Sequence, residues 1–379
     1  MNAVDVVQQE QVPYACLFLS GDVMTGRGID AILPHAGNPQ LYENFCHSAR
    51  DYVRLAEQAN GALPASIGDA YPWGDALAVL ERMQPHIRLI NLETAVTASA
   101  DYWPNKAVLY RMHPDNIGCL TSARVDCCVL ANNHTLDWGR QGLDDTLATL
   151  RGAGIQAAGA GKDQAQAAAP AVLTLASGLR VRVYAFGAPT SGVPASWAAT
   201  AHRSGVNYVP EITVSRAEMI GRRMAAERGP GELVVVSLHW GSNWGFDVGD
   251  DERAFAHALI DTGGVDIVHG HSSHHVRGVE LYRGKLVLYG CGDLLNDYEG
   301  IAGEEHYRPD LALMYFVCVE GSNGTLIELQ AVPMQIRQMQ LRCAPAQGAA
   351  WLHTTLARES ERLGTRVEQG ADGVLLVRG

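Results

Sequence analysis

The feature that most constrains this chain is a repeated strand ending. Short apolar runs with strand composition stop abruptly in Asp, Glu, Asn or His. "ACLFLSGD" runs into Asp22, "IRLINLE" into Asn91 and Glu93, and "VDCCVLANNH" into Asn133 and His134. "ELVVVSLHWG" runs into His239, "VDIVHGH" into His269 and His271, and "KLVLYGCGD" into Asp293. Between several of them lie segments with helical period. "GLDDTLATLRGAG" sets Leu143, Leu147 and Leu150 on one face, while "SRAEMIGRRMAAERG" and "DERAFAHALIDTGG" close in glycine, as helix ends often do. Alternating strand and helix predicts a layered α/β fold with sheet buried on both faces. In such sheets ligands sit beyond the carboxyl ends of the strands. One polar ending is an ordinary turn; six with acid/base or metal-capable side chains point to a site.

The stretch "GAGKDQAQAAAPA" (159–171) and residues 188–212 read as loops able to cover that site. After about residue 320 the polar endings stop. "GTLIELQAVPMQIRQMQL" alternates like an exposed strand pair, "GAAWLHTTLARESERLG" reads as a helix and "TRVEQGADGVLLV" as a short hairpin. We therefore expect a metal-dependent domain over 15–330 and a small α+β extension over 331–379 packed on it.

Of 379 residues, 47% are hydrophobic and 18% charged, the balance of a globular chain with a sizeable core. The net charge of −12 repels phosphate backbones and argues against nucleic acid as a partner. The opening "MNAVDVVQQEQVPYA" has neither the basic start nor the apolar core of an export signal, and no run reaches the ~20 apolar residues of a membrane span. The eight cysteines form no C-x-x-C pair and read as reduced, mostly buried thiols of a cytoplasmic protein without a membrane partner. Oligomeric state is not legible.

Carboxylate and amide oxygens suit Ca²⁺, Mg²⁺ or Mn²⁺, and imidazole suits Mn²⁺, Fe²⁺ or Zn²⁺. Such a mixed site polarises a bound oxygen. Each residue also has a plainer role. Asp22 fits a turn, Glu93 a helix cap, Asn133 a loop bond and His239 a core hydrogen bond. The tract "HGHSSHH", with His269, His271, His274 and His275, is costly to bury without a ligand, although a surface tract would also explain it. His113, His257 and His353 lie in ordinary contexts.

The motifs together resemble the CapA family, named for poly-γ-glutamate capsule biosynthesis. "GDVMTGRG" (21–28), "NLETAVT" (91–97), "ANNHTLDWGRQGLDDTL" (131–147), "HWGSNWG" (239–245) and "GVDIVHGHSSHHVRGVELYRGKLVLYGCGD" (264–293) match in order. The resemblance implies a calcineurin-like metallophosphoesterase sandwich with a metal site at the strand ends. It places Asp22, Glu93, Asn133, His239, His271 and His274 at metal positions, for one or two divalent cations. His134 falls at the position of an acid/base histidine, braced by Asn132 and Asp137. There are departures. The usual D-x-H is "DVM", the usual G-H-x-H is "GHSSH", "HWG-x-E" is "HWGSN", and Asp293 stands where Asn is frequent.

The resemblance leaves three activities open. One is a metal-dependent enzyme acting on a peptidic or poly-γ-glutamyl substrate. Another is a peptide Cα-epimerase, with His134 and Asp137 on one side of the cation and His271 or His274 with Asp22 or Asp293 on the other. The third is a phosphoesterase with Arg27 or Lys106 clamping phosphate. Trp240 and Trp244 are expected to bind substrate in each.

Overall fold

The computed structural model describes residues 13–370 and 373–379. The opening segment read as free of a signal lies almost wholly outside them, as do Ala371 and Asp372 at the turn of the expected hairpin. Among the described residues, ten strands form one sheet and six another. The order in the first is Glu368–Gln369, Leu375–Arg378, Leu326–Ile336, Leu311–Glu320, Tyr14–Val23, Ile87–Leu92, Cys127–Val129 and Gln156–Ala158. Asp293–Leu295 pairs with the end of Tyr14–Val23, and Leu341–Cys343 with Leu326–Ile336. The second runs Val279–Tyr282, Lys285–Leu288, Ile267–His271, Glu232–His239, Arg180–Gly187 and Ala171–Thr174.

Side chains alternate across a strand, so each strand feeds two layers. Ala15, Leu17 and Leu19 join Val181, Val183, Val235 and Ile267 in the core between the sheets. Phe18 points the other way, into a core shared with Ile29, Tyr52, Leu80, Leu120, Leu143 and Leu150 from the helices covering the large sheet. Val234, Val236 and Val268 instead meet Ala217, Met224, Phe255 and Leu259 from helices Val214–Glu227 and Asp250–Asp261. The result is the expected layered α/β sandwich: helices, sheet, sheet, helices. Tyr14–Val23, Ile87–Leu92 and Cys127–Val129 run parallel to one another, as do Arg180–Gly187, Glu232–His239 and Ile267–His271. Their polar carboxyl ends therefore collect at the same edge of the sandwich.

Several expectations need correction. The segment 159–171 is not one loop. It contains a short strand, Ala160–Gly161, and a helix, Gln164–Ala168, capped by the Asp163 side chain. Residues 188–212 carry two 3₁₀ turns and the strand Gly205–Val206. The expected exposed strand pair is a long, mostly buried strand, Leu326–Ile336, with a short partner, because helix Ala346–Glu361 and the small sheet's core cover it. Position 330 lies within that strand, and Leu375–Arg378 extends the same sheet. Not all cysteines are free thiols: Cys16 and Cys318 are joined as a disulfide. They lie 302 positions apart and meet only because their antiparallel strands register Cys16 opposite Cys318. Among the described residues no helix is long and apolar enough to cross a membrane.

Candidate metal centre

Strand register builds the centre. Asp22 lies opposite Asn91 on one side and Asp293 on the other. Across the second sheet, His239 lies opposite His271. The ladder slips by a bulge beside Asp22, a common device for re-aiming a side chain next to a site. Gly21 makes the approach possible, since a Cβ there would sit 1.7 Å from the Gly292 carbonyl oxygen.

Two sets of ligand groups share one carboxylate. Asp22, His239 and His271 form one, and Asp22, His274 and Asp293 the other, with ligand atoms of each set within 4.8 Å of one another. His239 Nδ1 and His271 Nδ1 converge at 2.8 Å, and His271 Nδ1 is 3.8 Å from Asp22 Oδ1. Asn91 donates its amide to Asp22 Oδ1 at 2.7 Å and is itself held by Asn132. Asp22 Oδ2 is buried and has no hydrogen-bond partner among the described residues. Glu93 Oε1 lies 3.6 Å from His134 Nε2 and 3.9 Å from His239 Nε2. Asn133 Oδ1 is 3.0 Å from His239 Nε2.

The electrostatics are those of crowded buried carboxylates facing buried imidazoles. Burial, then repulsion from Asp293, pushes Asp22 up to about 7. Burial, then the Asp22 charge, lifts Glu93 well above the usual carboxylate range. Burial holds His239 and His271 well below the usual imidazole value, each aided by neighbouring histidines, so both are neutral. Neutral imidazoles facing clustered carboxylates and an orphaned oxygen fit a divalent cation by donor chemistry.

The histidine tract divides by direction. His269 bonds the Ser20 carbonyl and Ser237, and His275 accepts from the Gly245 amide while stacking on Tyr307. These two are structural. His271 and His274 face the carboxylates. The extra residue in "GHSSH" is absorbed at Ser272, whose φ of 109° is a strained conformation for a non-glycine residue. His274 then reaches Asp293 Oδ1 at 2.9 Å, and Asn243 lies 3.2 Å from its Nε2.

On the opposite flank His134 Nδ1 meets Asp137 Oδ2 at 2.6 Å, leaving Nε2 toward Glu93. Lys106 Nζ is 2.8 Å from the same Nδ1 and bonds Asp137 Oδ1 at 2.5 Å. Burial pushes His134 down to about 4 despite Asp137, with Lys106 adding to the fall. Burial also lowers Lys106.

The expected substrate-binding residues separate. Trp244 lines a cavity of about 230 Å³ beside His274. Trp240 does not: it is 1% exposed, donates to the Tyr289 carbonyl and stacks on that ring, so it is core. Arg27 lines the cavity, but its guanidinium is occupied by Glu43 and Asp297 and lies between the Tyr52 and Tyr110 rings. Lys106 is likewise tied to Asp137. Neither is a free phosphate clamp. Sequence reasoning missed Asn91 as the brace of Asp22, and Asn296, which donates to Asp293 Oδ2 at 2.9 Å. Both lie inside or next to the motifs "NLE" and "GCGD", which was the available signal.

A family model described as bacterial capsule synthesis protein PGA_cap matches residues 16–298. A probable polyglutamine synthesis accessory protein of Mycobacterium tuberculosis is 48% identical over 95% of this chain and 95% of its own. The PGA biosynthesis protein CapA of Bacillus subtilis is 27% identical over 55% of this chain and 52% of its own. A crystal structure of a phosphatase from Mycoplasma pneumoniae aligns with 86% of this chain and 95% of its own at 10% identity and a TM-score of 0.47.

Proposed function

Because this chain belongs to the PGA_cap family of bacterial capsule synthesis proteins, we propose that it is a metal-dependent enzyme acting by acid/base chemistry on a glutamyl- or glutaminyl-type peptide substrate. The observation that carries this reading is Asp22, common to both ligand sets and holding a buried oxygen without a hydrogen-bond partner among the described residues. Asp22, His239 and His271 would hold one cation and Asp22, His274 and Asp293 a second, with Glu93 and Asn133 alongside. A bound divalent cation would polarise a substrate carbonyl or carboxylate oxygen.

The chain's own residues supply the proton chemistry. His134 is neutral at physiological pH, and its Nε2 faces the centre, so it accepts a proton there. Asp137 fixes the tautomer through Nδ1, and Lys106 anchors Asp137. Asn132 supports the turn by accepting from the His134 amide. His274 with Asp293 forms a second histidine–carboxylate pair on the far side of Asp22. With one cation on Asp22, His239 and His271, the His274–Asp293 pair is left for proton chemistry, and two such pairs flanking one centre favour proton transfer on two faces, and thus Cα-epimerisation, as the second reading. Pairing of Arg27 and Lys106 weighs against phosphoester substrates.

The test is incubation of metal-loaded protein with glutaminyl and γ-glutamyl peptides in D₂O, followed by mass spectrometry. Chain cleavage, or one deuterium at a single Cα without cleavage, supports the proposal and separates its two forms. Rapid hydrolysis of aryl phosphates with no action on peptides would overturn it.

A further inference from the structure

The cavity beside His274 has a composition that speaks to substrate charge. Its accessible aromatic walls are the rings of the half-buried Trp244 and Tyr298, while Tyr52 and Tyr110, 0% and 1% exposed, lie beneath the Arg27 guanidinium. Phe45 and Ile301 stand at its lip, 64% and 40% exposed. Exposed apolar side chains around a concave aromatic pocket mark a ligand surface. Arg27 is the one lysine or arginine among the described residues lining it. That guanidinium bonds Asp297, Glu43 and the Tyr52 hydroxyl, with Tyr52 and Tyr110 rings 3.9 Å and 4.3 Å away. The imidazole of His274 is held by Asp293. The remaining charged lining group is Glu304, an anion.

A carboxylate at the strand ends would meet the cation argued for above. A second carboxylate, entering the cavity, would meet no unpaired positive charge. It would lose water against aromatic faces, beside Glu304, on a chain of net charge −12. An unpaired ion held there loses hydration that no opposite charge replaces. Methylene stems and planar amides, by contrast, lie well on aromatic faces. The Tyr298 hydroxyl, which accepts from the buried Tyr110 hydroxyl at 3.3 Å, and the exposed Asn243 amide offer polar partners to such a group.

We propose that this cavity is a subsite for an uncharged peptide segment, amide-bearing or apolar, and that it selects neutral chains over polyanionic ones. The proposal rests on the reading of the strand ends as an enzyme site, and it narrows that reading's substrate class.

Calorimetric titration of the full chain with short oligo-L-glutamine and oligo-γ-glutamate of equal length tests it, in Mn²⁺ and again in chelator. The glutamine oligomer is expected to bind about tenfold tighter or better. Glu304→Lys should narrow that gap by raising affinity for the glutamate oligomer. Trp244→Ala should weaken the glutamine oligomer about tenfold and leave Mn²⁺ stoichiometry at the parent value. Equal or tighter binding of the glutamate oligomer overturns the proposal, as does binding of neither oligomer or indifference to both substitutions. Failure to bind Mn²⁺ would count against the enzyme reading instead, and the preference measured in chelator would still decide the subsite.

Discussion

Two histidine–carboxylate pairs flank Asp22, and their imidazoles are shifted in opposite directions. His134 and Asp137 meet at 2.6 Å, and His274 and Asp293 at 2.9 Å. Both imidazoles are buried. Burial pushes His134 down to about 4, whereas on His274 the attraction of Asp293, seconded by Asp22, outweighs burial and raises the imidazole above its ordinary value. The difference lies in the next neighbour. Lys106 stands beside His134, and a second carboxylate stands near His274. A histidine's partner therefore does not set its role alone. The surrounding charge leaves one neutral, able to accept a proton at neutral pH, and favours protonation of the other.

Removing the shared carboxylate should break the comparison most. Asp22→Asn takes one oxygen charge from both ligand sets. Divalent-metal affinity should fall by at least about 100-fold and peptide turnover with it. Calorimetry with each metal measures the first, and the D₂O assay the second. His134→Ala should come next, costing ~10²–10⁴ in rate while metal binding and the melting temperature stay near the parent values. An unfolded His134→Ala protein would make the residue structural. Trp240→Ala should cost about 3–5 kcal/mol of stability through the cavity it leaves, measured by denaturant unfolding, with no selective loss of substrate affinity.

The smallest effects are in pH dependence and sharpen the comparison. With its folded value near 4, His134 leaves the extra proton to the unfolded chain between pH 6.5 and 4. Its contribution is full above 6.5 and lost as pH falls. His274 is raised, so its contribution is full below 6.5 and lost as pH rises through the folded value. In chelator, His134→Gln should gain on the parent as pH falls from 7 to about 4.5. His274→Gln should lose on it over the same change. Parallel slopes in both unfolding series would contradict the opposite directions of the two shifts.

Strand composition made much of this legible. The runs before Asp22, Glu93, His239 and His271 are continuously apolar because each strand serves two cores, and their parallel order follows from the helices between them. What escaped was set by register. Nothing local links Cys16 to Cys318, or Asp22 to Asp293, until strands distant in sequence pair. Trp240 and Trp244 look alike in "HWGSNWG", yet one is core and the other lines the cavity because the strand ends at His239 and the chain then turns. Likewise Arg27 and Lys106 read as free cations until their carboxylates, one of them 270 residues away, are placed. The C-terminal segment misled by its alternation: Leu326–Ile336 is covered on both sides by elements that sequence order does not bring together.

The central claim is that the shared-Asp22 cluster binds divalent cations. Elemental analysis of the purified full chain, after loading in turn with Ca²⁺, Mg²⁺, Mn²⁺, Fe²⁺ and Zn²⁺ and removal of free metal, tests it most directly. One or two equivalents of at least one metal per chain are expected, lost in Asp22→Asn. No stoichiometric metal under any of these conditions, or full retention by Asp22→Asn, would contradict it.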